Sequence, residues 1–96
     1  MKLWIDDNRV APKGYIWCKS VNEAIAFIEQ NYDAIELIDI DHDAGDYAYD
    51  GGDYIRVLDW LEFMGLNYPI RIHSMNSVGR QNMRLIIQKN GWREIR

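Results

Sequence analysis

Cysteine is nearly absent: Cys18 is the only one in 96 residues. That excludes an internal disulfide and leaves no CxxC pair for a structural zinc site. Sitting in the aromatic and β-branched run Tyr15–Lys19, it is expected as a buried strand residue and not as a nucleophile. Proline occurs twice, Pro12 and Pro69, each as a loop or turn marker. No apolar run reaches the roughly 20 residues that span a bilayer, and the opening MKLWIDDNR turns acidic before a signal-peptide core forms, so a soluble, cytoplasmic protein is expected. A net charge of −4 argues against a general duplex nucleic-acid surface. Without internal repeats, low-complexity stretches or linkers, residues 1–96 read as a single domain with one core, in which Trp4, Trp17, Trp60 and Trp92 can anchor separate elements. The oligomeric state is left open.

What the chain does have is a concentration of carboxylates. The stretch Ile35–Asp53 begins as an apolar strand and breaks into Asp39, Asp41, Asp43, Asp46, Asp50 and Asp53 around His42. Like charges at that density raise one another's folding cost unless a cation or open solvent relieves them. A divalent metal or a solvated loop explains them, and Asp46, Asp50 and Asp53 are assigned to solvent or helix capping. From Arg71 onward the balance reverses, with six basic residues and one acid. A positive rim beside a carboxylate cluster suits a metal-assisted phosphate site; plain charge balance between neighbouring elements is the alternative.

Taken in order, Lys2–Asp6 reads as a short buried strand ending in Asp6 and Asp7. A loop with Pro12 and Gly14 follows, then a second strand over Tyr15–Lys19. Ser20 and Glu23 form a capping box for a helix whose stripe is Val21, Ala24, Ile25 and Ile28 and which runs out near Asn31. A third strand covers Ile35–Asp41, with Asp39 its odd member. A second helix is expected from about Asp53 to Met64, capped by Gly65. Ile70–Ser74 makes a fourth strand, and Asn76 or Ser77 caps a third helix carrying Met83, Ile86 and Ile87 to Asn90–Gly91. Trp92–Ile95 adds an edge strand.

Alternating strands and helices predict right-handed crossovers and an α/β fold: a small three-layer sandwich with a mainly parallel sheet and helices on both faces. Ligands gather outside the carboxyl ends of such strands. Asp6–Asp7, Asp41–His42–Asp43 and His73–Ser74 all fall at that edge, and their convergence carries the functional expectation.

These residues resemble a response-regulator receiver domain, with an acidic pair after the first strand, an aspartate after the third and a serine after the fourth. The closer resemblance is to the cyclic-phosphate processing receiver domains. Their DHDxG-type motif is matched by Asp41-His42-Asp43-Ala44-Gly45, and their HSxNxxGxxxM-type motif by the run His73 to Met83, beside the opening Trp4–Arg9. The resemblance implies a receiver/flavodoxin-like fold and action on a cyclic phosphate. Two features depart from an ordinary receiver: the stretch from Asp7 to Tyr15 is too short for a helix, and no lysine follows the fifth strand. Ala44 stands where the motif usually has leucine.

Together the residues and the resemblance predict that Asp6, Asp7 and Asp41 hold Mg²⁺ or Mn²⁺. His42 and His73, the only two histidines, are the general base and acid, with Asp43 beside His42. Ser74, Asn76, Ser77, Gly79 and Arg80 at a helix start, with Arg9 as a second clamp, receive the phosphate. Arg84 and Lys89 are expected as surface charges, and Tyr47 and Tyr49 as cover for a core edge. The expected activity is a metal-dependent phosphoesterase acting on a cyclic phosphate of a nucleotide, an RNA end or a related phosphate-bearing metabolite. The alternatives are a non-catalytic module binding a partner protein or a phosphorylated small molecule, and a true phospho-receiver with Asp41 as acceptor.

Overall fold

The computed structural model describes residues 1–96. Nine elements follow one another: β1 (Lys2–Ile5), β2 (Tyr15–Cys18), α1 (Val21–Gln30), β3 (Leu37–Ile40), a 3₁₀ turn (Gly45–Tyr47), α2 (Ile55–Met64), β4 (Ile70–Ile72), α3 (Ser77–Lys89) and β5 (Glu94–Ile95). The five strands form one sheet in the order β2-β1-β3-β4-β5, every pair parallel. This is the receiver/flavodoxin-like order. No helix is long and apolar enough to cross a membrane.

Local chemistry sets the helix ends. The Ser20 hydroxyl accepts the Glu23 N–H at 3.0 Å, as in a capping box, but the Glu23 carboxylate reaches one residue further back, to the Lys19 N–H at 3.0 Å. The Asn76 side chain accepts the Gly79 N–H at 2.9 Å and starts α3. Gly65 closes α2 in the left-handed conformation, φ 69°.

Strand order decides how the layers are arranged. The steps β2→β3, β3→β4 and β4→β5 all cross the sheet in one direction, so right-handed crossovers place α1, α2 and α3 on the same face. Accordingly α1 packs on α2, and α2 on α3. Beneath them Leu3, Ile5, Ile38, Ile40 and Ile70, matched across β1, β3 and β4, are wholly buried against Ala24, Ile28, Leu58, Leu61, Met83 and Ile87. Each such side chain contributes about 1.5–3 kcal/mol of burial. Cys18 belongs to this core.

The opposite face carries Trp4 in register with Trp17 and Asp39, and Asp39 in register with Arg71. Only the β1→β2 connection steps the other way, and it holds no helix. The parallel α/β sheet is therefore as expected while the layering differs: helices cover one face, giving two layers where three were expected. The reduced first helix accounts for the difference.

Candidate functional site

Each strand of the central trio stops one or two residues before its polar group, so these side chains project from the carboxyl edge of the sheet. Asp6, at the end of β1, is buried, and its two oxygens have separate tasks. Oδ1 accepts the N–H groups of Asn8 and Arg9 at 2.9 and 3.0 Å, which turns the chain. Oδ2 faces Nε2 of His73 at 2.9 Å. Burial pushes the Asp6 carboxyl up, but the two backbone donors and His73 outweigh it and hold it below its ordinary value.

His73 follows β4 on the open face. Its ring lies flat on Trp4, centroids 3.8 Å apart and planes 2° from parallel. Nδ1 meets Oδ1 of Asp39 at 2.7 Å, and Oδ2 of Asp39 accepts Nη1 of Arg71 at 3.1 Å. Arg9 closes the group from outside, its Nη1 donating to the His73 carbonyl at 3.1 Å and its own carbonyl accepting Trp4 Nε1 at 2.8 Å. Asp39, fully buried on a strand, is thus the residue that fixes His73, a role that no local motif signals.

Asp41, after β3, brings a third donor: ligand atoms of Asp6, Asp41 and His73 lie within 4.8 Å of one another. Asp7 lies beside this trio, its carboxylate against the Cα of Gly45, where any Cβ would collide with it. Burial first, then the charges of Asp6 and Asp41, push the Asp7 carboxyl up. Carboxylates that strain one another in this way fit a divalent cation. Two oxygens and an imidazole nitrogen suit Mn²⁺ at least as well as Mg²⁺.

A second centre lies on the helix side of the same edge. Nδ1 of His42 meets Oδ1 of Asp43 at 2.9 Å, and Asn76 Nδ2 reaches both Asp43 oxygens at 3.4 and 3.3 Å. His42, opposed by burial and helped by Asn76, holds Asp43 below its ordinary value. The His42 ring packs on Gly79, where a Cβ would strike the imidazole. Asp41 links the two centres, because its Oδ1 accepts the His42 N–H at 2.7 Å.

The expected phosphate residues divide. Ser74 is buried and its hydroxyl accepts the Asn76 N–H at 3.1 Å, shaping the turn. Ser77 is exposed at the first position of α3, and Asn76 and Gly79 join the His42 centre. Arg80 instead lines a cavity with Arg71, Arg84 and Arg96, on the β5 side of the sheet. Asp53 bonds the Ala44 N–H at 3.0 Å and lies by His42 and Asp43, and Asp50 accepts Ser20 Oγ at 2.6 Å. Both therefore have structural partners where solvent or capping was expected.

The family model of the cyclic-phosphate processing receiver domain matches residues 1–89. No curated protein and no solved structure matches the chain. With the match spanning nearly all of the 96 residues, the chain belongs to the family of cyclic-phosphate processing receiver domains.

Proposed function

We propose that this chain is a metal-dependent phosphoesterase that opens a cyclic phosphate on a nucleotide, an RNA end or a related metabolite. The observation that supports it most is the convergence of Asp6, Asp41 and His73, three donors from three strand ends within 4.8 Å of one another. Mg²⁺ or Mn²⁺ held there, with Asp7 at its edge, would supply Lewis-acid polarisation of a phosphoryl oxygen. With Asp39 accepting the Nδ1 proton as in many histidine sites, His73 would hold the ion through Nε2, which would give up its proton and its contact with Asp6.

Proton transfer falls to His42. With Asp43 accepting the Nδ1 proton, Nε2 keeps a free lone pair for a water molecule. As the water oxygen bonds to phosphorus and one ring P–O bond breaks, His42 takes the water's proton and returns one to the departing alkoxide. Asn76 commits its carbonyl to Gly79, which leaves the N–H groups of Ser77 and Val78 at the start of α3 to hold the remaining phosphoryl oxygens.

One observation favours the non-catalytic binding module: Asp6 and His73 are almost closed off from solvent, and the protein's one cavity is elsewhere. A ring-opening screen over 2′,3′-cyclic nucleotides, cyclic dinucleotides and cyclic-phosphate RNA ends, with Mn²⁺, with Mg²⁺ and with EDTA, separates the readings. Metal-dependent turnover lost in His42→Ala and reduced in Asp39→Asn is the expected result. Saturable binding without turnover assigns the protein to the binding class, and acetyl-phosphate labelling abolished by Asp41→Asn to the phospho-receivers.

A further inference from the structure

The protein's one cavity, about 180 Å³, lies against the edge strand β5, away from the carboxylate cluster. It is more than ten times the roughly 10–15 Å³ that admits a single water. Its charged lining is Arg71 from β4, Arg80 and Arg84 one helical turn apart on α3, and Glu94 and Arg96 from β5 and its end. Four guanidinium groups around one small cavity are unusual in a chain whose net charge is −4.

Internal pairing does not neutralise them. Glu94 is gripped by Arg84, Nε to both carboxylate oxygens at 2.9 and 3.0 Å and Nη2 to Oε2 at 2.7 Å, with Arg96 Nε at 3.6 Å. Arg71 is held from behind by Asp39 at 3.1 Å. Arg80 has no ion pair. Four guanidiniums thus face two carboxylates, Glu94 and Asp39, and two positive charges stay unmatched. Arg84 and Arg71, whose carboxylate contacts are 3.1 Å or shorter, are held in place by them, so part of the ordering cost of gripping an anion is already met.

We propose that this cavity is a phosphate-binding site, in which Arg80 and Arg96 close on a phosphate group against the N–H groups that Arg84 and Arg71 have left over from Glu94 and Asp39. A dianion matches the two unmatched charges, whereas a carboxylate carries one and Glu94 already occupies that role. Arginine forks present paired donors to phosphate oxygens. The ligand is free phosphate or a phosphate monoester on a larger molecule. The site stands independently of the reaction proposed above.

Calorimetric titration with inorganic phosphate, in EDTA so that no metal at Asp6 and Asp41 contributes, tests it. Wild type binds saturably; Arg80→Gln and Arg96→Gln each weaken binding about tenfold, which is about 1.4 kcal/mol, while Arg93→Gln, outside the cavity, leaves it unchanged. All three side chains are exposed, and thermal melting verifies that the variants fold. A short 5′-phosphorylated RNA compared with its unphosphorylated form distinguishes an ester ligand from the free ion. Absence of saturable phosphate binding, or binding indifferent to Arg80→Gln and Arg96→Gln together, overturns the proposal and leaves a self-balanced ion-pair group.

Discussion

Replacing Asp39 by alanine should cost more than its place on a helix-free sheet face suggests. The side chain is 0% exposed and makes two charge-assisted contacts, to His73 Nδ1 at 2.7 Å and Arg71 Nη1 at 3.1 Å. A hydrogen bond of that class is worth about 1.5–3 kcal/mol when its partner stays buried, and the His73 side chain is only 7% exposed. The Arg71 contact counts for less, below about 1 kcal/mol, since that side chain is 48% exposed and turns to water once released. The expected loss is about 2–4 kcal/mol, a large share of the 5–15 kcal/mol typical of a domain. At this length it lowers Tm by about 10–20 °C. Urea unfolding at pH 7 in EDTA measures it. A double-mutant cycle with His73→Ala then isolates the pair, with an expected coupling of about 1–3 kcal/mol. A single-mutant loss below about 0.5 kcal/mol, or a coupling near zero, would refute the claim that Asp39 fixes the histidine.

Three further outcomes follow from the same geometry. Asp7→Asn should raise the stability of the metal-free protein by up to about 1 kcal/mol: a carboxyl pushed up by burial, Asp6 and Asp41 favours folding only while protonated and opposes it at pH 7. A fall in Tm in EDTA would contradict this. Asp43 is held below its ordinary value, so its contribution is present above the unfolded value of 3.8 and lost as pH falls through the folded one. Asp43→Asn should therefore flatten the decline of Tm as the pH falls below about 4, and an unchanged slope would count against the His42–Asp43 pair. Gly79→Ala, which in an open helix stabilises by about 0.5–1 kcal/mol, should destabilise here because the new Cβ meets the His42 ring. Chemical-shift perturbation of His42 in the variant reports the displacement directly, and a stabilised protein with an unmoved His42 would refute it.

Most of the architecture was legible because short apolar runs, capping residues and glycine stops obey local rules. The capping box at Ser20, the start of α3 at Asn76 and the stop at Gly65 all rest on neighbours within four residues. Element ends differ from the local expectation where a polar side chain has a distant partner. The helix expected from Asp53 starts at Ile55, because the Asp53 carboxylate is spent on the Ala44 N–H and not on capping. Arg80 stands in one sequence motif with Ser74, Asn76, Ser77 and Gly79, yet its position on α3 turns it toward β5. Arg84, expected as a plain surface charge, holds Glu94 across the cavity. Asp39 could not be assigned, since its role depends on partners 32 and 34 residues away and on a register that brings Trp4 alongside. An aspartate alternating with isoleucines in a buried strand was the one available signal.

The missing first helix and the histidine on the open face are parts of one structural solution. A helix between β1 and β2 would step across the sheet the other way and bury the face that carries Trp4, Asp39, Arg71 and His73. Apolar cover over a carboxylate, a guanidinium and an imidazole would cost several kcal/mol unless each were fully bonded. A short loop avoids that cost and supplies bonds of its own: Asn8 and Arg9 donate to Asp6, Arg9 accepts from Trp4, and its guanidinium grips the His73 carbonyl. No buried side-chain polar atom is left without a partner. Shortening the connection thus leaves Arg71 half in water while Asp39 and His73 stay buried beneath a polar strap. The same strap sets Asp6, which turns the loop with one oxygen and meets the histidine with the other, so the loop's conformation and the geometry of the proposed metal site are determined by a single carboxylate.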